Sequence, residues 1–341
     1  MTGRSTDAQI AAKISSNVTH LSPNITLVQP DKHRTLTSNS ILINDEIKIL
    51  IDTGFQFQDG RLVKLKETYL SELDLILFSH YHVDHTFGGW VFEDRPKLIH
   101  SVEEKALGSL KDFIGYCYAT DQLDETSYSL WVKRFLALIG LDGISSWDKL
   151  GFDYIESTNY TNPLDLGATT LEFIHLPGHS PGHTGFYSPN DQILFIGDIV
   201  LTARFGPWYG WKNASLPAFR ESVGKVRTFV SEHDEIRWVL TSHSRPLTRE
   251  KALEYIERFE SHFGLRQRKI REFIAKNPHG VRESEIANEA FIYGGSPFVS
   301  SSPKDMWMIF EKHHVEHHLS ELEALGLIYN QDGKYYDLTS P

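Results

Sequence analysis

The chain has 341 residues, 40% hydrophobic and 23% charged, an ordinary globular mixture able to bury one large domain plus a small one. A net charge of −11 argues against a grip on duplex DNA, and no apolar run approaches the ~20 residues that span a bilayer. Cys117 is the single cysteine, which excludes an intrachain disulfide and a cysteine-based zinc finger, whereas the 17 histidines make their placement the feature to follow. The start, Met1 to Leu21, is polar and lacks the apolar stretch of a secretory signal, so a cytoplasmic location is expected.

In chain order, Asn24–Pro30 reads as a short strand. Ser40–Ile43 and Ile47–Ile51 flank Asn44-Asp45-Glu46, a hairpin signal. Leu73–Phe78 is a continuous apolar run ending at Ser79-His80, and a polar, Gly-containing loop follows through Gly88-Gly89. From Glu103 to Lys149 apolar residues recur at helical spacing, as in Leu130, Phe135, Leu138 and Leu141. Strand signals return at Thr170–His175, Gly185–Tyr187 and Ile193–Ile196, the last running into Gly197-Asp198. Pro217–Glu232 reads as a helix, Trp238–Thr241 as a strand ending at Ser242-His243, and Arg249–Phe263 as a charged helix. Three buried strands thus end on ligand-type residues, where a rigid strand fixes the position and a loop can turn side chains to one point.

After about His262 a basic cluster, Arg266-Gln267-Arg268-Lys269-Ile270-Arg271, opens a helix to Lys276. A short helix over Ser284–Ala290 and a long one over Lys304–Leu325 follow. Two short strands then flank Asn330-Gln331-Asp332-Gly333, a turn with the Asp-Gly hairpin signature. Three helices and a β-hairpin are the order of a winged helix.

His80-Tyr81-His82-Val83-Asp84-His85 packs four metal-type ligands into six residues. Imidazole and carboxylate suit zinc, and the lack of Cys or Met ligands argues against copper(I) or iron–sulfur sites. This run resembles the signature of the metallo-β-lactamase superfamily. Supporting motifs stand in the family's order: Ile51-Asp52-Thr53-Gly54, Leu176-Pro177-Gly178-His179-Ser180, Ile196-Gly197-Asp198 and Ser242-His243. The resemblance covers roughly residues 24–260. It implies an αββα sandwich, an α/β fold of two mixed β-sheets flanked by helices, here with a small C-terminal winged-helix-like α+β domain. The expected division is 1–261, with a helical insert at about 103–149, and 262–341. By the family pattern His80, His82 and His179 hold one metal, Asp84, His85 and His243 a second, and Asp198 bridges them. Asp52 is expected to brace the His80 loop, and His183 either supports the site or simply starts a strand.

The implied activity is that of a two-metal hydrolase with two Zn2+ per chain, iron or manganese being alternatives, and with Asp84 or Asp198 orienting the attacking hydroxide. Asp198 stands where the best-known zinc β-lactamases carry Cys, and Leu201 where acyl-homoserine-lactone lactonases often carry Tyr. The chain is most similar to glyoxalase II-like hydrolases and to a lactamase-beta-like group with a winged-helix-like tail. The leading expectation is hydrolysis of a small acyl ester, thioester or lactone. The alternative is a single-strand endoribonuclease; β-lactamase activity and persulfide dioxygenation rank lower. A small-molecule substrate is expected, single-stranded RNA and a homodimer stay open, and duplex DNA and membranes are not expected as partners.

Three features leave alternatives. Residues 262–341 hold nine Lys or Arg against eleven Asp or Glu, so the Arg266–Arg271 cluster is either a phosphate contact or a solvated helix face. His313, His314, His317 and His318 form two i, i+4 pairs that could take zinc or pack internally. The aromatics of Phe205–Trp211, and Tyr116, Tyr118, Tyr128 and Trp131 of the insert, either wall a substrate pocket or pack.

Overall fold

The computed structural model describes residues 17–30, 37–54, 72–92, 94–117, 125–138, 155–158, 161–201, 206–294 and 304–338. Phe205, Tyr118 and Leu141 lie outside the described residues, and so do the side chains of Tyr128, Trp131, Phe135 and Leu138.

Two large sheets form among the described residues, besides a two-stranded one near the C-terminal end. Strands β1 (Val18–His20), β2 (Ile25–Val28), β3 (Ser40–Ile43), β4 (Ile49–Ile51), β5 (Leu75–Leu77), β6 (Lys97–His100) and β7 (Ile155–Thr158) follow one another in a seven-stranded sheet. It is antiparallel through β4 and parallel from β4 to β7. Strands β8 (Leu164–Asp165), β9 (Thr170–His175), β10 (Thr184–Ser188), β11 (Ile193–Phe195) and β12 (Trp238–Leu240) make a second mixed sheet, in which β11 and β12 pair in parallel.

Side chains alternate across a strand, so every second residue shares a face. Register lines up Leu27, Ile41, Ile51 and Leu77 as one row, and Ile25, Ile43, Ile49 and Leu75 as the next. In the second sheet Leu240, Phe195, Phe186 and Phe173 form the matching row. All twelve belong to one apolar cluster, so the sheets pack face to face.

Helix α1 (Val83–Thr86) follows β5 and runs into a 3-10 turn, Phe87–Phe92. Helices α2 (Glu104–Leu107), α3 (Leu110–Cys117) and α4 (Glu125–Leu138) occupy the expected helical stretch. Helix α5 (Leu216–Glu232) starts at Ser215, whose hydroxyl accepts the Ala218 N–H. Helices α6 (Arg249–Ala275), α7 (Glu283–Asn288) and α8 (Lys304–Ala324) precede the hairpin β13 (Ile328–Gln331) and β14 (Lys334–Asp337). The three-helix-then-hairpin order of the tail is therefore present.

The chain divides into two compact units, and a boundary was expected at 261/262. That boundary lies inside α6, one unbroken helix where a break near His262 was expected. The first unit holds both sheets. The second holds α5, α6 from Glu250 on, the tail, and the short loop Leu176–Pro181. In α6 the buried positions run Ala252, Ile256, Phe259, Phe263, Arg266, Ile270 and Ile274, a continuous stripe at three- and four-residue spacing.

Candidate metal centre

The centre is assembled where strands end. β5 delivers Ser79 and His80, and α1 with the residue before it carries His82, Asp84 and His85. β11 leads to Asp198 and β12 to His243. All six lie in the first unit. Donor atoms of His80, His82 and Asp198 lie within 4.8 Å of one another, as do those of Asp84, His85 and His243.

Asp198 stands between these groups. Its Oδ1 is 3.3 Å from His85 Nε2 and 3.2 Å from His243 Nε2, and its Oδ2 is 3.9 Å from His80 Nε2. Asp84 Oδ2 is 3.6 Å from His85 Nε2 and 3.4 Å from His243 Nε2. Two donors each ~2.1 Å from one ion at a tetrahedral angle stand ~3.4 Å apart, so these separations match the edges of a coordination shell. His85 Nε2 is fully buried without a hydrogen bond, and the donors are all imidazole or carboxylate. A divalent ion of zinc type fits both observations.

Hydrogen bonds on the far ring nitrogens point the lone pairs inward. His85 Nδ1 donates to Asp52 Oδ2 at 2.8 Å, and His243 Nδ1 to the Thr37 carbonyl at 2.9 Å. Ser79 Oγ donates its one hydrogen to Asp52 Oδ2 at 2.7 Å, so His80 Nδ1, 3.0 Å from that oxygen, is the donor to it. Nε2 of all three rings is thereby left as an acceptor. His82 presents Nδ1, which lies 2.9 Å from His80 Nε2.

Asp52 braces the loop, as expected: it also accepts the Ser79 backbone N–H at 2.8 Å. It is buried and holds φ at 56°, a left-handed conformation imposed where β4 ends. His183 supports the site too, since its Nε2 accepts the Asp198 backbone N–H at 2.9 Å. Gly197 is required there: at φ 53° a Cβ would stand 2.3 Å from His183 Nε2.

Burial opposes protonation of His85, yet the Asp198, Asp84 and Asp52 carboxylates outweigh it and hold its pKa well above the usual histidine range. His243 is raised for the same reasons, burial being outweighed by Asp198 and Asp84.

Supports that the motifs did not announce also emerge. Glu103, fully buried, accepts the backbone N–H of Tyr81 and of Gly182, each at 2.8 Å, and so ties the His80–His85 turn to the start of β10. Ser38 Oγ donates to the Asp84 carbonyl at 2.6 Å, and Asn39 Nδ2 to the Thr241 carbonyl at 2.8 Å. Each lies far along the chain from its partner, so local motifs carry no trace of them.

His179 lies on Leu176–Pro181, which joins β9 to β10 and belongs to the second unit. Its Nδ1 donates to the Trp208 carbonyl at 2.8 Å, leaving Nε2 with the lone pair. In that unit Trp208, Tyr209 and Trp211 pack against Phe310, Phe263 and each other, with Tyr209 fully buried. These aromatics therefore pack with one another and with the C-terminal helices. The four C-terminal histidines bring no metal cluster together among the described residues.

The model of the metallo-beta-lactamase superfamily matches residues 33–243. The chain belongs to this superfamily. A hydroxyacylglutathione hydrolase of Haemophilus influenzae is 25% identical over 182 residues, 49% of this chain and 69% of that protein. A human acyl-coenzyme A thioesterase is 24% identical over 240 residues, 64% of this chain and 77% of that one. An N-acyl homoserine lactonase of Agrobacterium fabrum is 26% identical over 183 residues, 51% and 59%. A crystal structure of a metallo-beta-lactamase family protein from Thermus thermophilus matches with a TM-score of 0.64 at 17% identity, over 93% of this chain and 100% of that one. This likeness shows the fold. The chain is thus a metallo-beta-lactamase superfamily hydrolase with a His/Asp cluster suited to divalent metal.

Proposed function

We propose that this superfamily member hydrolyses a small acyl ester, thioester or lactone with two zinc ions. The observation that carries this is Asp198, which reaches histidines of both donor groups: Oδ1 faces His85 and His243, and Oδ2, 3.3 Å from His243 Nε2, is also the oxygen nearest His80. In this reading His80, His82 and His179 hold one ion, Asp84, His85 and His243 the other, and Asp198 both. The tautomer of His179 supports its place, because its Nε2 is left as the acceptor. The ions supply Lewis acidity toward water and toward the carbonyl oxygen of the substrate. Asp84, whose side chain keeps some solvent exposure, would orient the attacking water and accept its proton.

Three of the similar proteins are named as a hydroxyacylglutathione hydrolase, an acyl-coenzyme A thioesterase and an N-acyl homoserine lactonase, which supports the acyl class over a phosphodiester. One of the two motives for the RNA reading, the basic cluster, is weakened because it is not one exposed face: Arg266 is buried, and Arg271 is paired with Asp337 at 2.7 Å. Iron or manganese would fit the same donors.

The test is turnover by the zinc-loaded protein on acyl-glutathione, acyl-CoA, aryl ester and lactone substrates, beside Asp84→Ala/His85→Ala. Hydrolysis of at least one class by the wild type alone is expected. Inactivity on all four with two zinc ions bound, together with cleavage of a fluorescent single-stranded RNA, would replace this reading by the nuclease.

A further inference from the structure

The C-terminal histidines and the buried Arg266 converge on one piece of backbone. Residues 206–211 have no regular secondary structure, yet all but Trp208 are buried, so their carbonyls lack ladder partners and draw on other donors, the Ala214 N–H for Trp211 among them. Four of these carbonyls accept from side chains. Arg266 Nη1 donates to the Pro207 carbonyl, and His179 Nδ1 to the Trp208 carbonyl at 2.8 Å. His313 Nδ1 donates to the Gly210 carbonyl at 2.8 Å, and His317 Nε2 to the Trp211 carbonyl at 3.0 Å. Between them Tyr209 is locked by its hydroxyl, 2.7 Å from His318 Nε2 and 3.3 Å from Arg266 Nη1. His314 packs its ring 4.2 Å from that of Tyr209. All of these residues lie in the second unit.

We propose that helices α6 and α8 serve as a clamp on the strap Pro207–Trp211, and that the clamp fixes the Trp208 carbonyl which orients His179. Arg266, His313 and His317 are then positioning residues for a metal ligand, acting through main-chain carbonyls. The C-terminal segment is accordingly a working part of the hydrolase rather than a separate nucleic-acid-reading module. The physical reason is that a ligating imidazole needs its other nitrogen held by a fixed acceptor. A carbonyl on an unsupported coil cannot hold a direction, whereas one flanked by three charged or imidazole donors can. This inference rests on the reading of His179 as a metal ligand.

The donors can be removed or kept at nearly constant size. An Asn side chain places its amide nitrogen where Nδ1 stands and a Gln where Nε2 stands, so His313→Asn/His317→Gln retains both hydrogen bonds. His313→Leu/His317→Leu removes both. Zinc dissociation constants, by competition with a chromophoric chelator, and the visible spectrum of the Co2+-loaded protein are the readouts. The Leu pair is expected to bind one of the two ions about 10-fold more weakly with an altered Co2+ spectrum, and the Asn/Gln pair to stay within about twofold of wild type. Wild-type affinity and spectrum in the Leu pair, or an equal loss in both pairs, would overturn the clamp. Should the Leu pair not fold, single His317→Leu, at a less buried ring, must show the same spectral change for the proposal to stand. His179→Ala separates the two levels. If it leaves both ions bound as tightly as before, the ligand reading fails and the clamp with it; if it loses one ion while the Leu pair does not weaken, only the clamp fails.

Discussion

Single residues in this protein act through their protons. Asp52 is an acceptor on both oxygens, taking Ser79 N–H, Ser79 O–H and His85 Nδ1–H. Asp52→Asn sets an NH2 against one side, and His85 can then keep a hydrogen bond only by moving its proton to Nε2, the nitrogen that should face the ion. Since Asn tolerates the left-handed backbone at this position, the fold should survive. Metal affinity is expected to fall about 10–100-fold, as read by chelator competition, with far-UV circular dichroism unchanged. An Asp52→Asn protein with unaltered affinity would remove Asp52 from the site. Gly197→Ala tests space instead of charge. Its methyl would press on His183 at 2.3 Å in a strained conformation, so urea denaturation should show a loss of about 1–3 kcal/mol and the Asp198 carboxylate should lose its place. Retained stability with retained zinc affinity would show that His183 moves aside freely.

At the level of elements, the C-terminal helices bury several titratable groups. Burial first, then the charge of Arg266 and the neighbouring histidines, holds His314 and His318 well below the usual range; His313 and His317 are lowered mainly by burial. In the unfolded chain these rings titrate near ~6.5. Below that pH the unfolded state binds more protons than the folded one, so stability is complete above it and is lost as pH falls toward the depressed folded values. Each histidine contributes a slope of about 1.4 kcal/mol per pH unit in that window. Burial raises Glu283, Glu311 and Glu316, which works in the opposite sense, so the comparison of variants isolates the histidines. Against wild type, His313→Asn/His317→Gln should flatten the fall of Tm between pH 7 and pH 5. Parallel curves from calorimetry would mean these rings carry no proton-linked stability.

For the molecule as a whole, metal should be a structural ligand as well as a reagent. Asp84 and Asp198 approach the same two histidines with little solvent to screen them, and only a cation relieves that repulsion fully. Removing metal with a chelator should lower Tm, and zinc at about 1,000 times its dissociation constant should restore about 4 kcal/mol. A Tm indifferent to chelation and to added zinc would argue that these carboxylates and imidazoles hold no ion. Among the described residues no helix is long and apolar enough to cross a membrane.

Much of this architecture was legible in the sequence because its signals are local. The His80–His85 run, the strand-end Asp198 and His243, and the alternating Ile and Leu of β2 to β5 each write a period or spacing into a few consecutive residues. β6 escaped notice because Lys97 opens it, and only the fold shows its ammonium donating to the Phe92 and Arg95 carbonyls from a fully buried position. Arg266 carried a readable signal that its basic neighbours obscured: counting by three and four from Phe259 and Phe263 reaches Arg266 and then Ile270, the buried stripe of α6. The sequence by itself determined the family, the kind of donor and the two-sheet core, since those depend on residue type and short spacing. Tertiary structure decided which proton sits on which ring nitrogen, that Glu103, Ser38 and Asn39 brace the ligand turns, and that the C-terminal histidines grip Pro207–Trp211. These are contacts between residues up to about two hundred positions apart, and their partners are mostly main-chain groups. Every residue carries the same N–H and C=O, so no side-chain pattern can announce such a partner.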